Sequence, residues 1–151
     1  MISGIVKNGR ATVNIIFRLP NKPDFTIEFV IDTGFTEFLS LPPAAVTLLG
    51  FPFVYDMYAN LADNSNVILP VHQANIIWDG EERVVNVLAT GRLPLLGTAL
   101  LDEHELVIQF IEGGYGAVYH KPRHQSQRIE EQRNLPSRNP NQSRQPQQTN
   151  Q

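Results

Sequence analysis

The chain has 151 residues, no cysteine and a formal net charge of −3. This allows one domain with a hydrophobic core and excludes a disulfide scaffold and thiolate chemistry. Residues 121–151 carry six basic and two acidic side chains, a net +4, which leaves −7 on residues 1–120. No apolar run reaches the length of a membrane span and the first residues lack a signal-peptide pattern, so we expect a soluble, cytoplasmic protein without membrane contact.

The first part of the sequence predicts two strands and a helix. Residues 11–19 and 25–31 both alternate apolar and polar side chains, which is the period of a half-buried strand. The polar, proline-containing stretch at 21–24 predicts the turn between them. The segment "PPAAVTLLG" at 42–50 predicts a short helix, with proline early and a glycine at its C-terminal end.

The middle of the chain predicts a long hairpin. Residues 53–59 and 66–78 are extended in pattern, and a polar turn around Asp63, Asn64 and Ser65 joins them. Asp79-Gly80 is a tight-turn signal that leads into a further strand.

The last part of the body predicts more short elements. Residues 84–89 have apolar side chains on both faces, which indicates a buried strand, and "TALLDEHE" at 98–105 predicts one or two helical turns. Strands at 106–111 and 115–119 flank a Gly113-Gly114 turn. The fold class is therefore mostly β, with one or two short helices and a small closed or sandwiched barrel.

The composition changes near residue 121. The segment 121–151 consists mostly of Gln, Asn, Arg, Pro and Ser, and its only aliphatic residues are Ile129 and Leu135. Such a segment cannot bury enough apolar surface to offset the entropy of ordering, so the prediction is a domain at 1–120 and a disordered tail at 121–151. The basic side chains leave open an association with RNA or an acidic partner; a solvated end is the alternative.

Asp32-Thr33-Gly34 interrupts the most hydrophobic region of the chain, residues 25–42. An ionised carboxylate among apolar side chains costs several kcal/mol unless a partner compensates. One interpretation is a turn former that caps its own backbone at a strand end. The other is a functional carboxylate, and the three residues alone leave both interpretations open.

The wider context resembles the retropepsin-like (clan AA) aspartic proteases. Asp32-Thr33-Gly34 matches their catalytic loop, and "LPLLGTALLDEHELVIQF" at 93–110 is similar to their later block of aliphatics, glycine, short helix and closing strand. Phe35 after the triplet is similar to bacterial and archaeal members, whereas retroviral members usually carry alanine there. The polar turn at 63–65 falls where the family has its flap. The resemblance covers roughly residues 5–111.

The resemblance implies a mechanism and an assembly. Two carboxylates that share one proton activate water and protonate the peptide carbonyl, without a metal or other cofactor. No second Asp-Thr-Gly or Asp-Ser-Gly exists, so a homodimer is expected to place Asp32 against Asp32 of the partner, with Thr33 bonded across to the other loop. The expected interface strands are "ISGIV" at 2–6 and "LVIQFI" at 106–111, with the extra "GGYGAVYH" at 113–120 adding to that sheet or replacing a strand.

The sequence pattern around the Asp-Thr-Gly triplet recurs later in the chain without the acid. "VNVLATG" at 85–91 parallels "EFVIDTG" at 28–34, with Ala89 where the catalytic aspartate stands.

The four histidines lack zinc-ligand spacing, and no phosphate-binding loop or nucleophile elbow is present. Three functions follow: a homodimeric aspartic endopeptidase acting on peptides, a dimeric peptide-binding module with little hydrolysis, and an RNA-associated protein that uses its tail.

Overall fold

The computed structural model describes residues 1–122 and residue 133. A compact unit spans Met1–Lys121. The disordered tail predicted for 121–151 lies almost entirely outside the described residues and remains a prediction. The described part is mostly β, with two short helices. In chain order its elements are β1 Ile2–Lys7, β2 Arg10–Arg18, β3 Phe25–Ile31, β4 Leu39–Leu41, α1 Pro43–Leu49, β5 Phe53–Asn60, β6 Asn66–Trp78, β7 Glu81–Ala89, β8 Leu95–Leu96, α2 Thr98–Leu101, β9 His104–Ile108 and β10 Tyr115–His120.

The strands form one ten-stranded sheet whose pairings run in a circuit. The order is β5-β6-β7-β4-β8-β3-β2-β1-β10-β9, and β6 also pairs with β2. Ile16 of β2 lies opposite Ile77 of β6, and Arg18 lies opposite Asn75. Hydrogen-bonded neighbours therefore lead from β6 through β7, β4, β8, β3 and β2 back to β6.

Two of the hairpins close on two-residue turns. Asn8 and Gly9 have φ values of 51° and 72° between β1 and β2, and Asp79 and Gly80 have values of 50° and 82° between β6 and β7. Positive φ at both central positions is the geometry that Asn-Gly and Asp-Gly favour. The second turn was predicted from the sequence; the first carries the same signal and fixes the start of β2.

The strand pairing repeats itself around the centre of the sheet. β3 runs parallel to β8, and β7 runs parallel to β4, while β4 and β8 pair antiparallel with each other. β3 is thus followed by a loop and the short strand β4, which pairs with β7. In the same way β7 is followed by a loop and the short strand β8, which pairs with β3. The echo between residues 28–34 and 85–91 corresponds to equivalent places in this pattern.

Aromatic and aliphatic side chains from both halves fill the interior. Phe17 stacks on Phe29 and on Phe51, with ring centroids 5.9 and 5.4 Å apart. Val46 of α1 and Leu100 of α2 are buried in the same cluster. The alternation predicted for residues 11–19 and 25–31 therefore places its apolar side chains as expected, except that Phe25 at the start of β3 is half exposed.

Helix α1 has the ends that the sequence predicts. It begins at Pro43, where the missing N–H costs no helical hydrogen bond. It ends at Gly50 with φ 70° and ψ 30°, and the Gly50 N–H donates to the carbonyls of Thr47 and Val46. The second helix, Thr98–Leu101, is shorter than the segment that predicted it.

The C-terminal strands differ in part from the expected arrangement. β10 lies between β1 and β9, so "GGYGAVYH" adds a strand to this sheet. Gly4 and Ile5 of β1 pair with β2 on one side and β10 on the other, which leaves no free edge there. β9 is one of the two terminal strands of the sheet and, among the described residues, pairs only with β10.

Candidate active site

Asp32 follows directly on β3, and hydrogen bonds fix its loop. The Asp32 N–H donates to the carbonyl of Leu96 at 2.9 Å, which continues the parallel pairing of β3 with β8. The Phe35 N–H donates to the Asp32 carbonyl at 3.1 Å, and the Gly34 N–H donates to Oδ1 of Asp32 at 2.9 Å. The carboxylate is thereby held in one orientation by its own loop.

Backbone hydrogen bonds from the second half of the chain hold this loop in place. The Thr98 N–H donates to the Phe35 carbonyl at 2.8 Å, and the Gly97 N–H donates to the Phe38 carbonyl at 2.9 Å. A Cβ on Gly97 would overlap the Glu37 carbonyl oxygen and lie 2.6 Å from Cδ1 of Phe35. Only glycine allows the backbone of the "LLG" block to approach the Asp32 loop this closely.

The tip of the loop faces solvent in the single chain. Asp32 is half buried, and Thr33 and Gly34 are exposed. Within the described residues, Oδ2 of Asp32 and the Thr33 hydroxyl have no hydrogen-bond partner. In the single chain the loop therefore presents a carboxylate oxygen and a hydroxyl at the surface.

The equivalent place in the second half carries no acid. Ala89 ends β7 and is buried, and the Thr90 N–H donates to the Leu41 carbonyl at 2.9 Å, as the Asp32 N–H does to Leu96. Gly91 has φ 80°, so this loop turns on a glycine with positive φ, which Gly34 in the Asp32 loop does not have. The described chain thus has loops at two equivalent places in the sheet, and the Asp32 loop carries an acid where the other has Ala89.

The predicted flap residues form the tip of the β5–β6 hairpin. Asn60 pairs with Asn66, and the Leu61 N–H donates to the Ser65 carbonyl at 2.8 Å. Oδ1 of Asp63 accepts from the Ser65 hydroxyl at 2.6 Å and from the Ser65 N–H at 3.0 Å. These bonds, the hydroxyl first, lower the pKa of Asp63 below its ordinary value. Asn64 has φ 64°, which asparagine tolerates in a turn that has no glycine.

The two faces of this hairpin have different surroundings. Tyr58 and Ile68 lie opposite each other and are 78% and 56% exposed. Met57 and its partner Leu69 point to the other face and are half buried. The hairpin therefore presents an apolar surface on both sides, which a flap that covers a peptide requires on one side only.

The described residues contain no group of His, Cys, Asp and Glu side chains arranged to hold a metal ion. The Nδ1–H of His72 donates to the Phe51 carbonyl at 2.9 Å, and the rings of His104, at the start of β9, and His120, at the end of β10, lie 5.4 Å apart. No helix of the described part is long and apolar enough to cross a membrane.

The chain is similar in fold to a known protein structure. No protein-family profile matches the sequence, and no curated protein matches it. A matching solved structure is that of a retropepsin-like aspartic protease from Rickettsia conorii, with 17% sequence identity and a TM-score of 0.46. The match covers 78% of this chain and 91% of that one. Because the sequence identity and the TM-score are both low, the site is assigned from the geometry of the Asp32 loop.

Sequence reasoning found Asp32, Thr33 and Gly34 but missed two features around them. The Arg83 guanidinium of β7 lies over Phe38 at the end of the loop, 5.4 Å from the ring centroid, a contact between distant segments that no local pattern reveals. The short strands β4 and β8 were also missed, since two or three aliphatic residues give no period. The "LLG" motif was the one signal that could have found β8.

Proposed function

We propose that the protein is an aspartic endopeptidase that hydrolyses peptide bonds with two Asp32 carboxylates at a homodimer interface. The observation that supports this best is the Asp32 loop, which is packed on Gly97 and has a counterpart loop with Ala89. The circuit of strand pairings from β2 through β6 is, in this proposal, the closed barrel of the acid-protease fold. One chain supplies half of the catalytic pair.

The chemistry needs the second copy. Two carboxylates about 3 Å apart cannot both ionise, so one proton is shared between them. The ionised group takes a proton from a bound water while the protonated group donates one to the carbonyl oxygen of the peptide. Loss of either carboxylate leaves one of these two steps without a group to perform it, and the pair titrates as a unit.

Exposure of the loop tip supports a two-fold contact at this place. Thr33 and Gly34 are exposed, and the Thr33 hydroxyl has no partner in the described chain. A two-fold axis that passes beside Asp32 would bring each Thr33 to the other loop, since an isologous interface repeats the same contact twice. Such a contact would also remove water from both carboxylates.

The β5–β6 hairpin is the proposed flap, with Asp63, Asn64 and Ser65 at its tip. A substrate in extended conformation would add backbone hydrogen bonds to strands on either side, and side-chain pockets would provide the selectivity. The half-buried face with Met57 and Leu69 favours apolar substrate side chains next to the cleaved bond.

The test is cleavage of a peptide library at about pH 4 to 7, which spans the pH at which such a carboxylate pair loses its shared proton, by the wild type and an Asp32→Asn variant. Asparagine keeps the shape of the side chain but cannot carry the shared proton. Asp24→Asn, which changes an exposed acid between β2 and β3 outside the proposed flap, is the matched control. We expect no cleavage with the first variant and full cleavage with the control; hydrolysis by Asp32→Asn near the wild-type rate would contradict the proposal.

A dimeric peptide-binding module is the second candidate. The hydrogen bond from the Gly34 N–H to Oδ1 of Asp32 is also what a turn-forming aspartate makes. In that case peptides bind to the wild type and to Asp32→Asn alike, and neither cleaves them. The RNA-associated alternative depends on the tail, which lies outside the described residues, and predicts salt-dependent RNA retention that is lost on its deletion.

A further inference from the structure

A cluster of titratable groups lies away from the Asp32 loop, where several chain segments meet. Trp78 ends β6, Asp79 begins the turn to β7, His104 begins β9 and His120 ends β10. Oδ1 of Asp79 lies 2.6 Å from the amino group of Met1. A cavity of about 370 Å³ at this place is lined by Trp78, Asp79, Glu81, Glu82, Arg83, His104 and His120.

Both ring nitrogens of His104 are engaged. Nδ1 lies 2.6 Å from the Asp102 carbonyl oxygen, which can only accept, so Nδ1 carries the proton and donates. Nε2 lies 3.3 Å from Nε1 of Trp78, whose indole N–H can only donate. Nε2 must therefore be the unprotonated nitrogen, and this arrangement requires the neutral imidazole.

Protonation of His104 would remove the hydrogen-bond acceptor from this contact. An imidazolium has N–H groups on both nitrogens, so Nε2–H would face the indole N–H. His120 lies opposite His104 in the β9–β10 pairing, with ring centroids 5.4 Å apart. Two imidazolium rings at that separation would repel each other.

Charged groups on the neighbouring elements face the same cluster. Asp79 lies beside both histidines, Glu81 and Glu82 line the cavity from β7, and Arg83 lies on the same strand. The Met1 amino group is paired with Asp79, and Lys121 pairs with Glu105 at 3.3 Å on the outer side of β9. The acids attract a charged histidine, but none of them replaces the acceptor that Trp78 loses.

We propose that Trp78, His104 and His120 form a pH-sensitive latch that holds the β9–β10 hairpin against the β6–β7 turn. With neutral histidines the Trp78–His104 hydrogen bond fastens the ends of β9 and β10 to the body. When His104 is charged the bond opens and this corner loosens. Histidine side chains in general change charge between about pH 5 and 8, so the latch responds in that range.

The strand that the latch holds has neighbours on both sides. β10 lies between β1 and β9, and its Ala117 and Val118 are buried. Loosening its C-terminal end would free the facing edges of β1 at Ile2 and of β9 at Leu106, because both residues pair with Val118. The latch thus controls how tightly the end of β10 stays paired with β1 and β9, whether or not Asp32 is catalytic.

The first test uses Trp78, which is the only tryptophan in the chain. Its emission is recorded on excitation at wavelengths that avoid tyrosine while the pH falls from about 8 to 5, the range in which histidine gains its proton. We expect a loss of intensity with one midpoint in that range. His104→Gln keeps an acceptor for the indole without a titrating ring, and its emission should stay constant. His72→Gln, a histidine outside the cluster, is the matched control and should keep the transition.

The second test measures amide hydrogen exchange in residues 115–120 at about pH 5 and 7.5, corrected for intrinsic rates. We expect exchange at the end of β10 to be about three- to tenfold faster at the lower pH, which is what loss of one hydrogen bond gives. This difference should vanish in His104→Gln. Constant Trp78 emission in the wild type, a transition that persists in His104→Gln, or exchange independent of pH would each overturn the latch.

Discussion

The backbone N–H of Asp32 donates to the carbonyl oxygen of Leu96 at 2.9 Å, which joins the two halves of the chain at the triplet. Because β8 lies between β3 and β4, the loop that carries Asp32 is held by residues more than sixty positions later. The position of the carboxylate is thus a property of the whole sheet. Substitutions in the "LLG" block should therefore disturb the site as much as substitutions in the triplet.

Gly97→Ala should damage both stability and the Asp32 loop. The new methyl group would overlap the Glu37 carbonyl and press on Phe35, and overpacking of this kind costs about 1–3 kcal/mol. We expect a melting temperature lower by at least about 3 °C. Gly116→Ala is the matched control, since a Cβ there meets its nearest atom, in the Gly4 backbone, at 3.9 Å. Equal melting temperatures for the two variants would contradict this account of Gly97.

Thr33→Val should weaken the dimer and leave the single chain unchanged. Thr33 is exposed in the single chain and its hydroxyl has no partner there, so its removal should not alter monomer stability. In the dimer two symmetric hydrogen bonds would be lost, which corresponds to a dissociation constant about 10- to 100-fold higher. Sedimentation measures this constant, and Thr33→Ser should stay near the wild type. A dimer of unchanged affinity would remove Thr33 from the interface.

The order of the hairpin tip should depend on pH through Asp63. Hydrogen bonds from Ser65 lower the pKa of Asp63 from its ordinary value of 3.8. A lowered pKa in the folded chain means that these bonds stabilise the turn above 3.8 and lose their effect as the pH falls through the lowered value. The protection factor of the Ser65 amide, followed by NMR, should fall in that range.

Asp63→Ala provides the control for this behaviour. It should show low protection of the Ser65 amide at every pH, because the acceptor is absent. If the hairpin acts as the flap, this variant should also raise the KM for peptides more than it lowers kcat. A Ser65 amide whose protection in the wild type is the same above pH 3.8 and at a pH below the lowered pKa of Asp63 would contradict the role given to Asp63.

Deletion of residues 122–151 should leave the melting temperature nearly unchanged, because that segment has almost no apolar side chains to bury. The cut belongs after Lys121 and not before it, since the Lys121 N–H donates to the Glu103 carbonyl at 2.7 Å and its side chain pairs with Glu105. Deletion from 121 onward is the comparison. A fall of many degrees with the shorter deletion would show that the tail packs on the body.

The long strands and the turns could be predicted because their signals are local. The alternation in β2 and β3, the Asp79-Gly80 turn and the Gly50 helix end each act over a few residues, and the structure places each as predicted. The position of β10 could not be predicted, because a strand between β1 and β9 depends on pairing between distant segments. The sequence alone gives no register for such pairs.

The site, too, could be predicted only where its signals are local. Asp32 and its glycine stand in a recognisable triplet, and Ala89 was identified as the counterpart from a three-residue echo. The exposure of the loop tip depends on what packs around it, and the apolar sequence on both sides suggested deeper burial than the single chain gives. In the proposed mechanism a second copy is necessary because one chain carries a single Asp-Thr-Gly carboxylate.

The most direct test of the shared pair is activity in mixtures of wild-type and Asp32→Asn chains, allowed to exchange subunits. With a fourfold excess of the variant, random pairing leaves about one wild-type chain in five with a wild-type partner. Cleavage per wild-type chain should therefore fall to about one fifth of its value without the variant. Cleavage per wild-type chain that stays constant at every ratio would contradict the shared pair and would place the second acid within the same chain.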